Sequence, residues 1–446
     1  MIDDFATWLP LLKLIRLDPG GHAAGQISRG SWSVPVPKPQ WVPGRAAQVS
    51  DMQEEWDAVG RVRDALIADG REGLSFVVEA QAPGRRVLHL IDNGPAVETG
   101  LGPYPGSLVL VDGAVPEPWR RLPEPAPTAT PAPSADPGRL ERTLRDRIPG
   151  AIGATEAEIA AAEARLGVAM PEELKALYRV TRGQWKDWGD DYEAAERASD
   201  AVGCELFPLE EVYIADAASR PSLWQFAATE AVVTPPGAAV QGLVGSPGWI
   251  AFGDNGGGDR LAIDLTPGPG GHIGQIIMID HEQNIRAALL AESLTDMVLN
   301  GRQSWRSERT DEPPVVARIN IRSLPSIEAA VDPRLEVLGI GVWQGEPLSL
   351  VPVMGLTRLR TLTAYPGTLA DPLEIGRLTG LEFLRLGPRE WRTLLDAGAL
   401  PPGLLAAGIE VPGSPNPLSI VELANEILGR FGRPPITRTV LEGSLP

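Results

Sequence analysis

The sequence predicts an α+β chain: a middle domain of helices and short strands, a small αβ unit before it, and a short leucine-rich-repeat-like α/β unit after it. Three observations predict this. A capped pair of helices leads into short apolar strands in the middle of the chain. A proline-rich stretch precedes that segment, and leucines spaced at 22 residues follow it. At 446 residues the chain is too long for one core. The expected divisions are 1–115, 116–138, 139–306, 315–412 and 413–446.

In the first unit, Trp56, Val59, Val62 and Leu66 recur at helical spacing and predict a helix from Met52 to Leu66. Three strands are expected at Leu74–Ala80, Val87–Ile91 and Ser107–Val111, the first two joined by a Pro83-Gly84 turn. A helix against a small antiparallel sheet accounts for this unit. Residues 116–138 carry eight prolines in 23 residues, which predicts an extended, semi-rigid linker.

The middle unit opens on Thr155-Glu156-Ala157-Glu158, a capping box, and its first helix stops at Gly167. Pro171 suits the first position of a second helix, on which Leu174, Leu177 and Tyr178 share a face. Short strands are expected at Trp249–Gly253, Leu261–Leu265 and Gly274–Ile279, with a last helix over Ser293–Leu299. In the third unit, Leu356, Leu359 and Leu362 are matched by Leu378, Leu381 and Leu384, with a weaker copy at Val337, Ile340 and Val342. A 22-residue period of this spacing is the leucine-rich-repeat signature; the alternative is an ordinary α/β layer with coincident spacing. Ile420, Leu423, Ile427 and Phe431 predict a capping helix over 418–431, followed by a tail.

Composition narrows the function. The formal net charge of −18 argues against a phosphate-backbone ligand and suits either plain solubility or a basic protein partner. The single cysteine, Cys204, excludes an intrachain disulfide and, with no Cys/His spacing around it, a zinc site. No apolar run reaches the ~18–20 residues that span a bilayer, so no membrane role and a cytoplasmic location are expected.

Residues 150–183 resemble the opening of SUKH superfamily (Smi/Knr-type) domains: a capped helix ending in Leu166-Gly167, then Pro171, a second helix, and Arg182-Gly183 where the family has Asn-Gly. Trp249 to Asp259, Asp264 to Gly268, and Gly274-Gln275-Ile276 are similar to the family's strand, glycine loop, strand and Gly-x-Ile elements. Phe207 to Val212 lies between the two matches, in the family's order. The resemblance implies an antiparallel sheet with flanking helices that binds other proteins, with no known catalytic residues. It makes Gly167, Pro171, Gly183, Trp249, Gly257, Gly258, Asp264 and Gly274 structural motif positions. The superfamily includes fungal cell-wall assembly regulators and bacterial immunity proteins.

The most site-like feature is the loop Asp254-Asn255-Gly256-Gly257-Gly258-Asp259, with Asp264 beyond. Its glycines suit a tight turn and its aspartates suit capping of backbone amides; protein contact and Ca²⁺ are the other readings, though no known calcium spacing fits. Trp185 and Trp188 sit among polar residues as partner-binding candidates or as core anchors. Asp254, Asn255 and Asp259 join them as partner-binding candidates. The glycine triplet runs from strand to strand, which excludes a dinucleotide fingerprint, and no histidine adjoins a nucleophile motif. No catalytic residue, metal or cofactor is expected. The expected function is a non-enzymatic immunity protein binding a basic toxin domain; the alternative is an intracellular scaffold or regulator, and an enzyme site in 1–115 is a third reading.

Overall fold

The computed structural model describes residues 1–38, 48–100, 102–184, 187–301 and 315–446. The chain forms two compact units: Met1–Ala114 with Leu223–Gln225 and Pro313–Pro446, and Val115–Ser222 with Phe226–Glu312. The first segment supplies α1 (Phe5–Leu14), β1 (His22–Ser28), β2 (Trp32–Ser33), α2 (Gln53–Ala68), β3 (Gly73–Ala82), β4 (Arg85–Asp92) and β5 (Leu108–Val109). Helices α1 and α2 cover one sheet face with Trp8, Leu11, Val59, Val62 and Leu66, which meet Phe76, Val78, Leu88 and Leu90. Trp56, expected on the buried stripe of α2, is 40% exposed.

The second unit follows with α3 (Glu117–Arg120), α4 (Pro137–Arg147), α5 (Glu156–Leu166), α6 (Glu172–Val180), α7 (Tyr192–Val202), β6 (Glu205–Leu206) and β7 (Tyr213–Ile214). After α8 (Trp224–Ala227), whose first two residues belong to the first unit, come β8 (Trp249–Asp254), β9 (Arg260–Asp264), β10 (Gln275–Ile279), β11 (Ala288–Ala291) and α9 (Leu294–Asn300). The sheet runs β11-β10-β9-β8-β6, with β7 also on β8, and every pair is antiparallel. Strand alternation splits its residues. Ile250, Phe252, Ile263 and Ile276 pack against α4, α5, α6 and α9, while Trp249, Ala251, Ala262 and Ile277 face a second cluster with Leu243 and Ala215. The fold class is therefore α+β, with helices flanking an antiparallel sheet.

The capping box holds as expected: Thr155 Oγ1 accepts from Glu158 N at 3.2 Å, and Glu158 Oε2 accepts from Thr155 N at 2.7 Å. Gly167 ends α5 at φ 72°. Pro171 is the cap before α6 rather than its first residue. Glu173, 6% exposed, reaches α9 and accepts from Thr295 N at 2.9 Å, so it caps a helix more than a hundred residues away.

Residues 116–138 are not a free spacer. Trp119 Nε1 donates to Arg220 O at 2.7 Å, and the Glu124 backbone exchanges hydrogen bonds with the buried Gln241 side chain at 2.8 and 2.9 Å. Prolines here remove donors that packing does not need to satisfy, so the stretch lies along its own unit.

The last segment adds β12 (Val316–Ile319), β13 (Val337–Ile340), β14 (Thr361–Ala364), β15 (Phe383–Leu386), α10 (Pro388–Ala397), β16 (Ala406–Ile409), α11 (Pro417–Arg430) and β17 (Thr437–Ser444). Strands β12 to β16 form a parallel ladder, with Val316, Val337, Thr361, Phe383 and Ala406 in register. The central residues Leu338, Leu362, Leu384 and Ala407 are fully buried, together with Leu359 and Leu381 of the returning segments. Val342, placed in the weak copy, is 50% exposed.

Residues 1–115 and 315–446, expected apart, share one compact unit. β5 pairs antiparallel with β16, and the residues expected to be a tail form β17, which pairs along its length with β4. The resulting orders are β17-β4-β3-β1-β2 and β12-β13-β14-β15-β16-β5. α11 joins the two sheets in one core: Leu423, Ala424 and Ile427 share a cluster with Val77, Ile91 and Leu384.

Candidate functional site

Two glycines make the β8–β9 loop possible. Gly256 and Gly258 take φ of 82° and 102°, which other residues rarely adopt. The flanking polar side chains then bond their own backbone. Asp254 Oδ1 accepts from Gly256 N at 2.7 Å; Asn255 Oδ1 accepts from Gly257 N at 2.7 Å and from Asp259 N at 3.1 Å. These are successive Asx turns, which fix an exposed loop without a packed core. Asn255 Nδ2 also donates to Asp259 Oδ2 at 2.7 Å, and Asp254 pairs with Arg260, whose guanidinium stands 5.6 Å over the Phe207 ring.

Antiparallel register brings a second element to the loop. Ile279 pairs with Arg260, so Asp280 and His281 emerge beside Asp259. His281 donates its backbone N–H to Asp259 Oδ1 at 3.1 Å, and its Nδ1 lies 2.8 Å from the same oxygen. Partial burial opposes charge on Asp259, yet the hydrogen bonds from His281 and Asn255 hold its carboxyl below the usual range. The same contact raises His281. One oxygen or nitrogen from each of Asp259, Asp280 and His281 lies within 4.8 Å of the others, a spacing open to a cation. Both Asp259 oxygens are already engaged by His281 and Asn255. Asp264 belongs to neither group. It sits at the other end of β9, roughly 16 Å along the strand, so the three carboxylates of the calcium reading are not brought together.

Asp264 is a buried anchor, 0% exposed. Its Oδ1 accepts from Trp249 Nε1 at 3.0 Å and from Thr266 N at 2.8 Å, and its Oδ2 accepts from Gln275 Nε2 at 2.9 Å. Burial dominates and pushes its pKa up to about 6, with the hydrogen bonds pulling the other way. Gly274, at φ 87°, donates to the Asp264 carbonyl at 2.8 Å. Gly183 is equally constrained: at φ 76°, a Cβ there would meet Phe207 O at 2.6 Å.

Trp185 lies outside the described residues. Trp188 is half-buried and packs against the core of its unit, with its segment held by Arg182, whose guanidinium donates to Asp187 at 2.8 and 2.6 Å. It lines a small cavity with Gly183, Glu205 and Leu206. Strand β6 thus connects the two sets of sequence candidates. Glu205 and Leu206 border Trp188 on one side and pair with Asp254 and Gly253 on the other.

The surface of this unit contains exposed residues that sequence reasoning missed. Glu205 is exposed and its carboxylate lies against Gly256. Tyr192, the first residue of α7, is 74% exposed, and Asp190 and Asp191 before it are exposed too. Glu282 follows His281 on the surface. Their charge and exposure are local facts; strand pairing is what brings Glu205 beside Asp254.

Comparison with known proteins places this unit. Residues 153–300 match the SMI1 / KNR4 family (SUKH-1). The chain is similar to the cell wall biosynthesis/cell cycle regulator smi1 of Schizosaccharomyces pombe, at 28% identity over 158 residues, covering 33% of this chain and 30% of that protein. It is also similar to a glucan synthesis regulatory protein of Neurospora crassa, at 37% identity over 71 residues, covering 16% and 13%. The chain therefore spans less than a third of the length of these curated relatives.

Proposed function

We propose that this chain, through its SMI1/KNR4-type unit, is a non-enzymatic regulator or scaffold that acts by binding a basic protein partner. The observation that carries this reading is the match at 153–300, whose similar fungal proteins are named as regulators of cell-wall and glucan synthesis. That naming favours the regulator over the immunity protein that the sequence first suggests. The immunity reading keeps one supporting observation, the net charge of −18, which equally suits capture of a basic toxin domain.

The binding face in this proposal is the surface around β6. Half-buried Trp188 and exposed Tyr192 offer aromatic area, and Asp190, Asp191, Glu205 and Glu282 of the same unit are exposed carboxylates. Aromatic side chains together with exposed carboxylates suit a lysine- or arginine-rich segment. The parallel ladder of β12–β16, read as leucine-rich-repeat-like, supplies a second extended surface. A cytoplasmic location is part of the proposal; among the described residues, no helix is long and apolar enough to cross a membrane.

Affinity capture from native cells, with the retained proteins identified at ~50 mM and at ~500 mM salt, tests the reading. Screening over a Debye length of roughly 4–14 Å should release a partner held by exposed charge. A small set of basic partners lost at high salt is expected, with cell-envelope proteins among them for a regulator and one toxin domain for an immunity protein. Capture of no protein at low salt would overturn the binding function.

A further inference from the structure

We infer that β17 is a self-pairing edge, through which two copies of this chain join their five-stranded sheets into one. β17 is the outermost strand of the order β17-β4-β3-β1-β2, and among the described residues it has no partner strand on its other side. It is eight residues long, and six of them are exposed. Natural edge strands are usually short, bulged, or guarded by lysine or proline. This strand, Thr437-Arg438-Thr439-Val440-Leu441-Glu442-Gly443-Ser444, pairs with β4 at every position without a bulge and contains neither residue.

What selects a second copy as the occupant is the order of charges. Leu441 packs against the α1–α2 side of the sheet, so Arg438, Val440 and Glu442 project from the opposite face. An antiparallel pairing of two β17 strands centred on Val440 sets Arg438 of each copy opposite Glu442 of the other. The exposed Val440, 46% accessible, then meets itself across the two-fold axis. Shifting the register by two residues brings Arg438 opposite Val440 or Glu442 opposite Val440, and the complementarity is lost. Within one chain Glu442 already accepts from Arg85 at 2.7 Å, so each carboxylate would sit between two guanidinium groups. Arg438 has no ion-pair partner among the described residues.

Sedimentation of the full chain from ~1 µM to ~1 mM tests this. A monomer–dimer equilibrium is expected, weak because one strand from each copy buries less area than a stable interface needs. Arg438→Glu alone and Glu442→Arg alone each place like charges opposite one another and should weaken the dimer about tenfold. Mixed together, the two variants restore two opposite-charge pairs per heterodimer and should associate at least as well as the wild type. Val440→Cys should give a disulfide-linked dimer under mild oxidation, whereas the wild type should not, because Cys204 is buried. A monomer at all concentrations would overturn the proposal. So would self-association unaffected by either charge reversal with no cross-link at residue 440.

Discussion

Asp264→Ala is expected to destabilise the second unit by about 4 kcal/mol, read as the loss of its unfolding midpoint in denaturant. The substitution orphans Trp249 Nε1 and the Thr266 amide and removes one of the two acceptors of Gln275 Nε2, the other being Ala239 O at 2.7 Å. Each buried donor left unsatisfied costs about 1–3 kcal/mol, partly offset by removal of a desolvated charge. Asp264→Asn separates the two effects, because it keeps the shape and one acceptor. The sign of the pH dependence follows from the raised pKa. From the ordinary value of 3.8 up to about 6, the folded chain holds a proton that the unfolded chain has released, so this residue's contribution falls as pH rises across that window. The difference of about two pH units corresponds to ~3 kcal/mol between pH 3.8 and pH 6. The Asn variant should lose that slope. An unchanged slope in Asp264→Asn would show that Asp264 does not titrate in that range.

Trp391→Ala should cost about 3–5 kcal/mol in the first unit. Trp391 is 0% exposed on α10 and its Nε1 donates to Gly408 O of β16 at 2.8 Å, so it ties the helix to the ladder it covers. The N-terminal sheet shares a core with the ladder through α11. Unfolding of β1–β4 and of β12–β16, followed by amide exchange, should therefore shift together in the variant. A loss of protection confined to β12–β16 would show that the shared core does not couple them.

How much was legible depends on the range of the signal. Thr155, Gly167 and the α11 stripe were read from neighbours three or four residues away, and they stand as expected. α4 was missed because only Leu140 and Leu144 are apolar in a run of arginines, yet both are fully buried. α1 was missed because Pro10 breaks the apolar run, although the helix continues through it. Non-local pairings left no trace: β17 finds β4 across most of the chain, so the expected tail became a strand. The same division holds in the candidate site. The Asx turns of Asp254 and Asn255 follow from glycine and short polar side chains. The arrival of His281 and Glu205 depends on register with strands that sequence periodicity does not specify.

The central claim is that the surface around β6 binds a basic partner. The most direct test is the affinity of the captured partner for the full-length wild type and for Glu205→Arg/Glu282→Arg. Both glutamates are exposed and neither belongs to a core cluster, so the variant should fold with an unchanged midpoint. The account predicts binding weakened at least about tenfold, with a shallower salt dependence, since two exposed charges have been reversed. Equal affinity and equal salt dependence in the two proteins would contradict it.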